Sequence, residues 1–190
     1  MRPAALAAVL TALLPGACGS DGPATDDGAS LGQTLPPTPV TAPAVPAESA
    51  PRTGSVVVGG STSPFTVTEC RLAEDAEDPE GAGILVRVTG AGTTTNGVPF
   101  QIEVQRFAAT GEVDTFTDTV TYTDSAKILQ ALRFEVAGEV TDPRDPDARG
   151  VLLRTRPDGV SAAGIAGPPG TAGDDLEGLV GLALDATCAG

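Results

Sequence analysis

Three cysteines are the residues of this 190-residue chain with the most chemistry to offer: Cys18, Cys70 and Cys188. A thiol can carry an acyl group, pair in a disulfide or ligate a metal. The chain contains no histidine, which removes the commonest general base and the commonest transition-metal ligand. Nucleophilic triads of the Ser-His-Asp and Cys-His type are therefore excluded. We expect a protein that is not an enzyme and that has no catalytic residue and no cofactor.

Cys18 ends a short N-terminal stretch in which a positive charge, an apolar run and small residues follow one another as they do in an export signal. Arg2 precedes an uncharged, largely apolar run over residues 4–14, which is shorter than the roughly 20 residues of a membrane-spanning helix. Such a run is typical of the apolar core of a signal peptide. Residues 14–18 (LPGAC) then resemble a bacterial lipobox, in which small residues precede a cysteine that is acylated before cleavage. The sequence departs from that motif at Pro15, where leucine is usual.

We therefore predict that residues 1–17 are a lipoprotein signal peptide and that Cys18 is lipidated, for example with palmitate. The alternative is an ordinary secretory signal cut near Gly19. A diacylated cysteine supplies more than the single acyl chain that holds a protein to a bilayer only marginally. The predicted partner of Cys18 is thus the lipid bilayer, on the outer face of the cell membrane. An odd cysteine count supports lipidation, because one disulfide leaves one thiol over.

The other two cysteines, Cys70 and Cys188, lie in segments with strand-like sequence. Export permits thiol oxidation. Closing a loop of roughly 100 residues is worth about 5 kcal/mol in the chain-entropy description of a disulfide, and strain reduces that figure. We predict a disulfide between them, since the alternative of two free thiols fits poorly outside the cytoplasm.

Acidic clusters offer the remaining chemistry. Asp142, Asp145 and Asp147 place three carboxylates in six residues, which makes them a weak candidate for a Ca²⁺ site. The spacing of an EF-hand loop is missing, and Arg144 sits among the acids. We favour a solvated loop and predict no metal.

Asp118 is the acid in the least comfortable position. It falls on the same face of a predicted strand as Phe116 and Tyr122. If that face is buried, the carboxylate needs a partner. Arg106 and Arg133 are the candidates, unless the face forms a rim.

Charge and composition divide the chain. The net charge is −14, which disfavours nucleic acid as a partner and adsorption to anionic lipid.

Residues 18–53 are rich in proline, alanine and threonine and contain no aromatic residue, so we predict a disordered tether. Residues 54–190 are long enough for one hydrophobic core, and we predict a single β domain.

Period-2 alternation and turn signals favour strands in that domain. The predicted strands cover residues 55–58, 64–70, 84–89, 98–107, 115–123, 133–141 and 179–188, with 151–156 as a candidate edge strand. A short helix capped by Ser125 is predicted over 125–132, and a Gly/Ala/Pro-rich loop over 159–173. The predicted class is mainly β, an antiparallel sandwich or open barrel of about seven or eight strands.

These features resemble the mycobacterial nineteen-kilodalton lipoprotein antigen family. The resemblance rests on the lipobox-like Cys18, the Pro/Ala/Thr tether, and the stretches 56–60 (VVVGG), 65–70 (FTVTEC) and 182–188 (LALDATC). The second and third cysteines match the two positions of that family. The resemblance implies a cell-envelope lipoprotein anchored to the membrane and without enzymatic activity.

We expect a non-catalytic β domain presented at the cell surface, as an antigen-like or partner-binding module with an envelope or host protein as its partner. The alternative is an envelope carrier that binds a lipid or other apolar ligand in a β cavity. A third hypothesis, a hydrolase that uses Glu112, Asp114 and Asp118, would need two of these carboxylates to converge in a cleft.

Overall fold

The computed structural model of the protein describes residues 40–47, 50, 52–72, 83–108, 115–145, 147–148, 150–171 and 177–188. The predicted signal peptide 1–17, Cys18 and most of the predicted tether lie outside these residues, as do Glu112 and Asp114. Every regular element within the described ranges is a β-strand. The prediction of a mainly β fold is confirmed.

The strands form one antiparallel sheet. In chain order they are β1 (Thr53–Val58), β2 (Ser61–Arg71), β3 (Ile84–Thr93), β4 (Pro99–Ala108), β5 (Thr115–Asp124), β6 (Ile128–Val136), β7 (Glu139–Thr141), β8 (Leu153–Arg156), β9 (Gly159–Ala166) and β10 (Val180–Thr187). Across the sheet their order is β7-β6-β5-β4-β3-β2-β1-β10-β9-β8. The first and last strands are therefore neighbours near the middle of the sheet.

The sheet curves into a half-barrel. Neighbouring strands rotate against one another, and the rotation accumulates over ten strands. Gln130 of β6 and Gly167, just after β9, exchange two backbone hydrogen bonds of 2.8 and 3.1 Å. This contact places the end of β9 beside β6, although the two strands are far apart in the strand order.

Apolar side chains fill the inward face of the half-barrel, because successive residues of a strand alternate between faces. Val88, Val104 and Val120 lie opposite one another on β3, β4 and β5 and are fully buried. Phe100 and Tyr122 stack nearby with ring centroids 5.2 Å apart. The described interior is thus occupied by side chains.

Short turns that contain glycine connect β1 to β2 and β3 to β4. Gly59 and Gly60 join β1 to β2 with φ values of +55° and +83°, the left-handed pair that a two-residue turn of this kind requires. The predicted hairpin at Asn96 and Gly97 is confirmed between β3 and β4, and Gly97 has a φ of +79°.

The predicted count of seven or eight strands is wrong, because the described residues alone form ten. The run 133–141 is two strands, since Ala137 and Gly138 have φ values of +49° and +82° and reverse the chain. The predicted loop over 159–173 begins with β9, which pairs with strands on both sides. The strands form one curved sheet, whereas a sandwich would have two sheets. The candidate edge strand within 151–156 is confirmed as β8.

The predicted helix over 125–132 is also wrong. The Asp124 carboxylate accepts the backbone N–H groups of Ala126 and Lys127 at 2.8 and 2.9 Å and closes a turn. Strand β6 then begins at Ile128 and pairs with β5. Hairpin pairing with the preceding strand β5 outweighs local helix propensity, which is a weak preference.

Candidate functional site

The disulfide lies where the chain enters the β domain. Cys70 near the end of β2 and Cys188 just after β10 are bonded, with their Cα atoms 5.8 Å apart. The start of β1 runs between these two strands. The N–H of Arg52 donates to the Cys188 carbonyl at 2.7 Å, and its carbonyl accepts the N–H of Val67 at 3.0 Å. The predicted bridge is confirmed, and it clamps both strands that flank the incoming chain.

The buried carboxylate of Asp118 is paired with a cation, as its position requires. It receives two hydrogen bonds from the Arg106 guanidinium, at 2.7 and 2.9 Å, and a third from the backbone N–H of Leu153 at 3.2 Å. The register places Arg106 and Arg133 directly opposite Asp118 on either side. Of the two predicted partners, Arg106 makes the bidentate contact. This network ties the inward face of β5 to β8.

Arg133 is held by a different carboxylate. It donates to Asp142 at 3.0 and 3.3 Å and to the carbonyl of Gly150 at 2.9 Å. The other Asp142 oxygen accepts the backbone N–H of Arg144 at 2.9 Å. Both carboxylate oxygens are thus engaged, and the 142–150 loop is fastened to the sheet.

The three acids of the weak Ca²⁺ candidate do not converge. Asp142 is buried against Arg133, whereas Asp145 accepts the backbone N–H of Asp147 at 3.2 Å. Within the described ranges, no three His, Cys, Asp or Glu residues are grouped so that they could hold a metal ion. Asp145 and Asp147 lie in a loop, as expected, whereas the Asp142 carboxylate is buried and holds Arg133.

One end of the half-barrel holds a small polar cleft of about 220 Å³. Tyr122 donates its hydroxyl hydrogen to Asp124 at 3.0 Å there. Burial, and next the hydrogen bond and charge of Asp124, raise the pKa of Tyr122 to about 12. Burial opposes ionisation of Asp124, but the N–H groups of Ala126 and Lys127 with the tyrosine hydroxyl lower its pKa overall. The cleft offers hydroxyl groups, the Asp124 carboxylate and the ammonium group of Lys127, which suit hydrogen bonding to a small polar group.

A wider polar groove of about 400 Å³ lies on the outer face of β2 to β5. The groove is lined mainly by hydroxyl, amide and charged side chains, among them Thr68, Arg87, Thr89, Gln101, Glu103, Thr121 and Thr123. The Thr68 and Thr89 hydroxyls are hydrogen-bonded at 2.9 Å, and Arg87 pairs with Glu103 at 3.2 Å. Such a surface provides many hydrogen-bond donors and acceptors for a polar partner.

No protein family, curated protein or solved structure matches the chain. Within the part of the chain that the structure describes, no helix is long and apolar enough to cross a membrane. Sequence reasoning did not foresee the Arg133–Asp142 pair or the Tyr122–Asp124 hydrogen bond. Tyr122 and Asp124 are two residues apart on β5, so alternation could have placed them on one face. Arg133 and Asp142 continue the register of the β6–β7 hairpin, which the sequence did not reveal because 133–141 was predicted to be one strand.

Proposed function

We propose that the protein is a cell-envelope lipoprotein, exported by residues 1–17 and anchored to the outer face of the membrane through acylated Cys18. Residues 18–53 would carry a non-catalytic β domain away from the bilayer. The observation that supports this most is the pairing of the cysteines. The bridge uses Cys70 and Cys188, which leaves Cys18 as the one cysteine outside it. Cys18 is also the cysteine of the lipobox-like stretch.

The position of the bridge supports an exported, tethered domain. It closes next to the point where the tether joins β1, so that the incoming chain lies between two covalently joined strands. Disulfides persist in oxidising compartments, outside the cytoplasm. The relationship to the nineteen-kilodalton antigen family stays a prediction that rests on the sequence motifs.

The filled interior favours a presented or partner-binding domain over the carrier alternative. A carrier needs an apolar cavity, whereas fully buried side chains such as Ile102, Val104 and Leu184 pack into the inward face of the described strands. The polar groove on the outer face of β2 to β5 is the surface that we propose for a protein partner of the cell envelope or host.

Fractionation of cells that express the full chain tests the anchor. Cys18→Ser should move the protein from the membrane to the soluble exported fraction, and intact mass should show the loss of the acyl groups. The matched control is the double substitution Cys70→Ser with Cys188→Ser, which removes the other two thiols and should leave the protein on the membrane. Membrane association that survives Cys18→Ser would overturn the proposal, as would an uncleaved, unacylated chain in the cytosol.

A further inference from the structure

Residues 40–47, the last long stretch of the predicted tether before β1, lie against the outer face of the sheet. The contact is with Gly181 of β10. A side-chain carbon at Gly181 would lie 2.5 Å from the carbonyl oxygen of Thr41 and 2.8 Å from Cδ of Pro43. Atoms of a folded protein do not pack that closely, so the segment can take this place only because position 181 has no side chain. Glycine inside a strand often marks such a close approach of another backbone.

The burial of the segment repeats every third residue. Val40, Pro43 and Pro46 are partly buried, whereas the residues between them are exposed. A polyproline II helix has three residues per turn, so that every third side chain points in the same direction. The pattern indicates that residues 40–47 dock as a polyproline II helix with one of its three faces on the sheet.

A second face of the same helix borders a cavity. Ala42 and Val45, again three residues apart, line a space of about 330 Å³ together with Ser161 and Ala163 of β9. The segment therefore contacts β10 at Gly181 and faces β9 across this space. Small side chains on this face of the sheet leave room for the segment.

We propose that the outer face of β9 and β10 is a binding groove for an extended, proline-containing segment, and that residues 40–47 are its intramolecular ligand. Polyproline II segments suit this role because they are already extended before binding and lose little conformational entropy. The consequence for the tether rests on the proposed function. Docking takes residues 40–47 out of the length that can extend between Cys18 and the domain, and it removes about 3 Å of maximal reach for each docked residue.

NMR relaxation of the full chain carrying Cys18→Ser tests the groove in solution. Because this variant cannot be acylated, the result does not depend on the membrane anchor. The backbone of Ala42 and Ala44 should have order parameters near the value of about 0.85 that is typical of rigid backbone. Pro43→Asp places a charge on the docked face and should lower them below about 0.6. The matched control, Ala44→Asp, places the same charge on the exposed face and should leave them unchanged.

A second pair of variants tests the groove from the side of the sheet. The three atoms nearest to an added carbon at Gly181 all belong to Thr41 and Pro43, so Gly181→Ala should release the segment while the domain spectrum stays folded. Ala91→Val adds bulk to the exposed outer face of β3 and should release nothing. A segment that is mobile in the parent chain, or equal responses to Pro43→Asp and Ala44→Asp, would overturn the proposal. Order that is lost on dilution would also overturn it, because the occupant would then be a second copy of the chain.

Discussion

The alternating half of the sheet, strands β2 to β5, and the covered half, strands β9 and β10, differ in how their two faces are buried. In β4, burial alternates: Phe100 and Ile102 are buried, whereas Gln101 between them is exposed. In β10, all six residues 182–187 are buried, whichever face they point to. A strand of the first kind separates core from solvent, and its sequence alternates accordingly. A strand of the second kind is covered on both sides and needs small or paired side chains on its outer face.

Each half of the sheet contains a buried aspartate that is paired with an arginine, and the two ion pairs differ in their exposure to water. Asp118 lies on the inward face of β5 and is bonded to Arg106, whose side chain is only 13% exposed. Asp185 lies on the outer face of β10 and is bonded to Arg156, whose side chain is 26% exposed. The two carboxylates are both buried, with Asp118 7% and Asp185 3% exposed, so the pairs differ in the cation and not in the acid. Arg106 is more completely removed from water than Arg156, and substitutions that leave the arginine unpaired should reflect this.

Removing the inner carboxylate should have the largest effect. Asp118→Ala leaves the Arg106 guanidinium buried without its carboxylate, and we expect the free energy of unfolding to fall by about 3–5 kcal/mol. Asp185→Ala should cost less, because water can reach Arg156. Urea denaturation of both variants measures the difference. Replacing the inner pair together, by Arg106→Met with Asp118→Leu, should recover most of the loss; equal losses for the two single variants would contradict the distinction.

Removing the covalent link between the halves should have the next largest effect. The bridge joins β2 of the alternating half to the end of β10. The double substitution Cys70→Ser with Cys188→Ser should lower the free energy of unfolding by about 2–5 kcal/mol, because the unfolded chain gains freedom. Thermal unfolding of the parent protein with and without reductant is the matched comparison. An intact mass that does not change on reduction would show that no bridge had formed.

Close backbone approach should make Gly159 of β9 less tolerant of a side chain than an exposed position of β3. A side-chain carbon on Gly159 would collide with the carbonyl oxygen of Ala186. Gly159→Ala should therefore cost about 1–3 kcal/mol, as overpacking does in a well-packed region. Ala91→Val, on the exposed face of β3, should stay within about 0.5 kcal/mol of the parent. Similar unfolding midpoints for these two variants would remove the proposed contrast.

The smallest effect concerns the polar end of the alternating half. Tyr122 is the only tyrosine, so its ionisation can be followed by ultraviolet absorbance. The folded pKa is raised to about 12 from an ordinary value of 10.0. The folded state thus holds its proton more tightly, so the contribution of Tyr122 to stability should be fully present below pH 10 and be lost as pH rises toward 12. Asp124→Asn should move the tyrosine pKa back toward its ordinary value. Ionisation near pH 10 in the folded parent would contradict the buried hydrogen bond.

Local signals explain which parts of the fold were predictable. Alternation predicted β2 to β5, and Asn96 with Gly97 predicted the hairpin between β3 and β4. These signals act between neighbouring residues, so they can be read from the sequence. Strand β9 was mistaken for a loop, since a run of glycine and alanine has no alternating pattern and its strand character comes from β8 and β10 beside it. The helix prediction over 125–132 was wrong for a similar reason, because pairing with β5 makes the residues from Ile128 onward a strand.

The sequence by itself determined that the chain has no histidine-dependent triad, that Cys70 can pair with Cys188, and that a buried Asp118 needs a cation. These follow from residue types, from the number of thiols and from the cost of burying a charge. Only the tertiary structure decided that Arg106 rather than Arg133 serves Asp118, that Asp142 serves Arg133, and that the proline-rich segment lies on Gly181. Such choices depend on strand register and on the curvature of the sheet, which bring together residues that no local pattern connects.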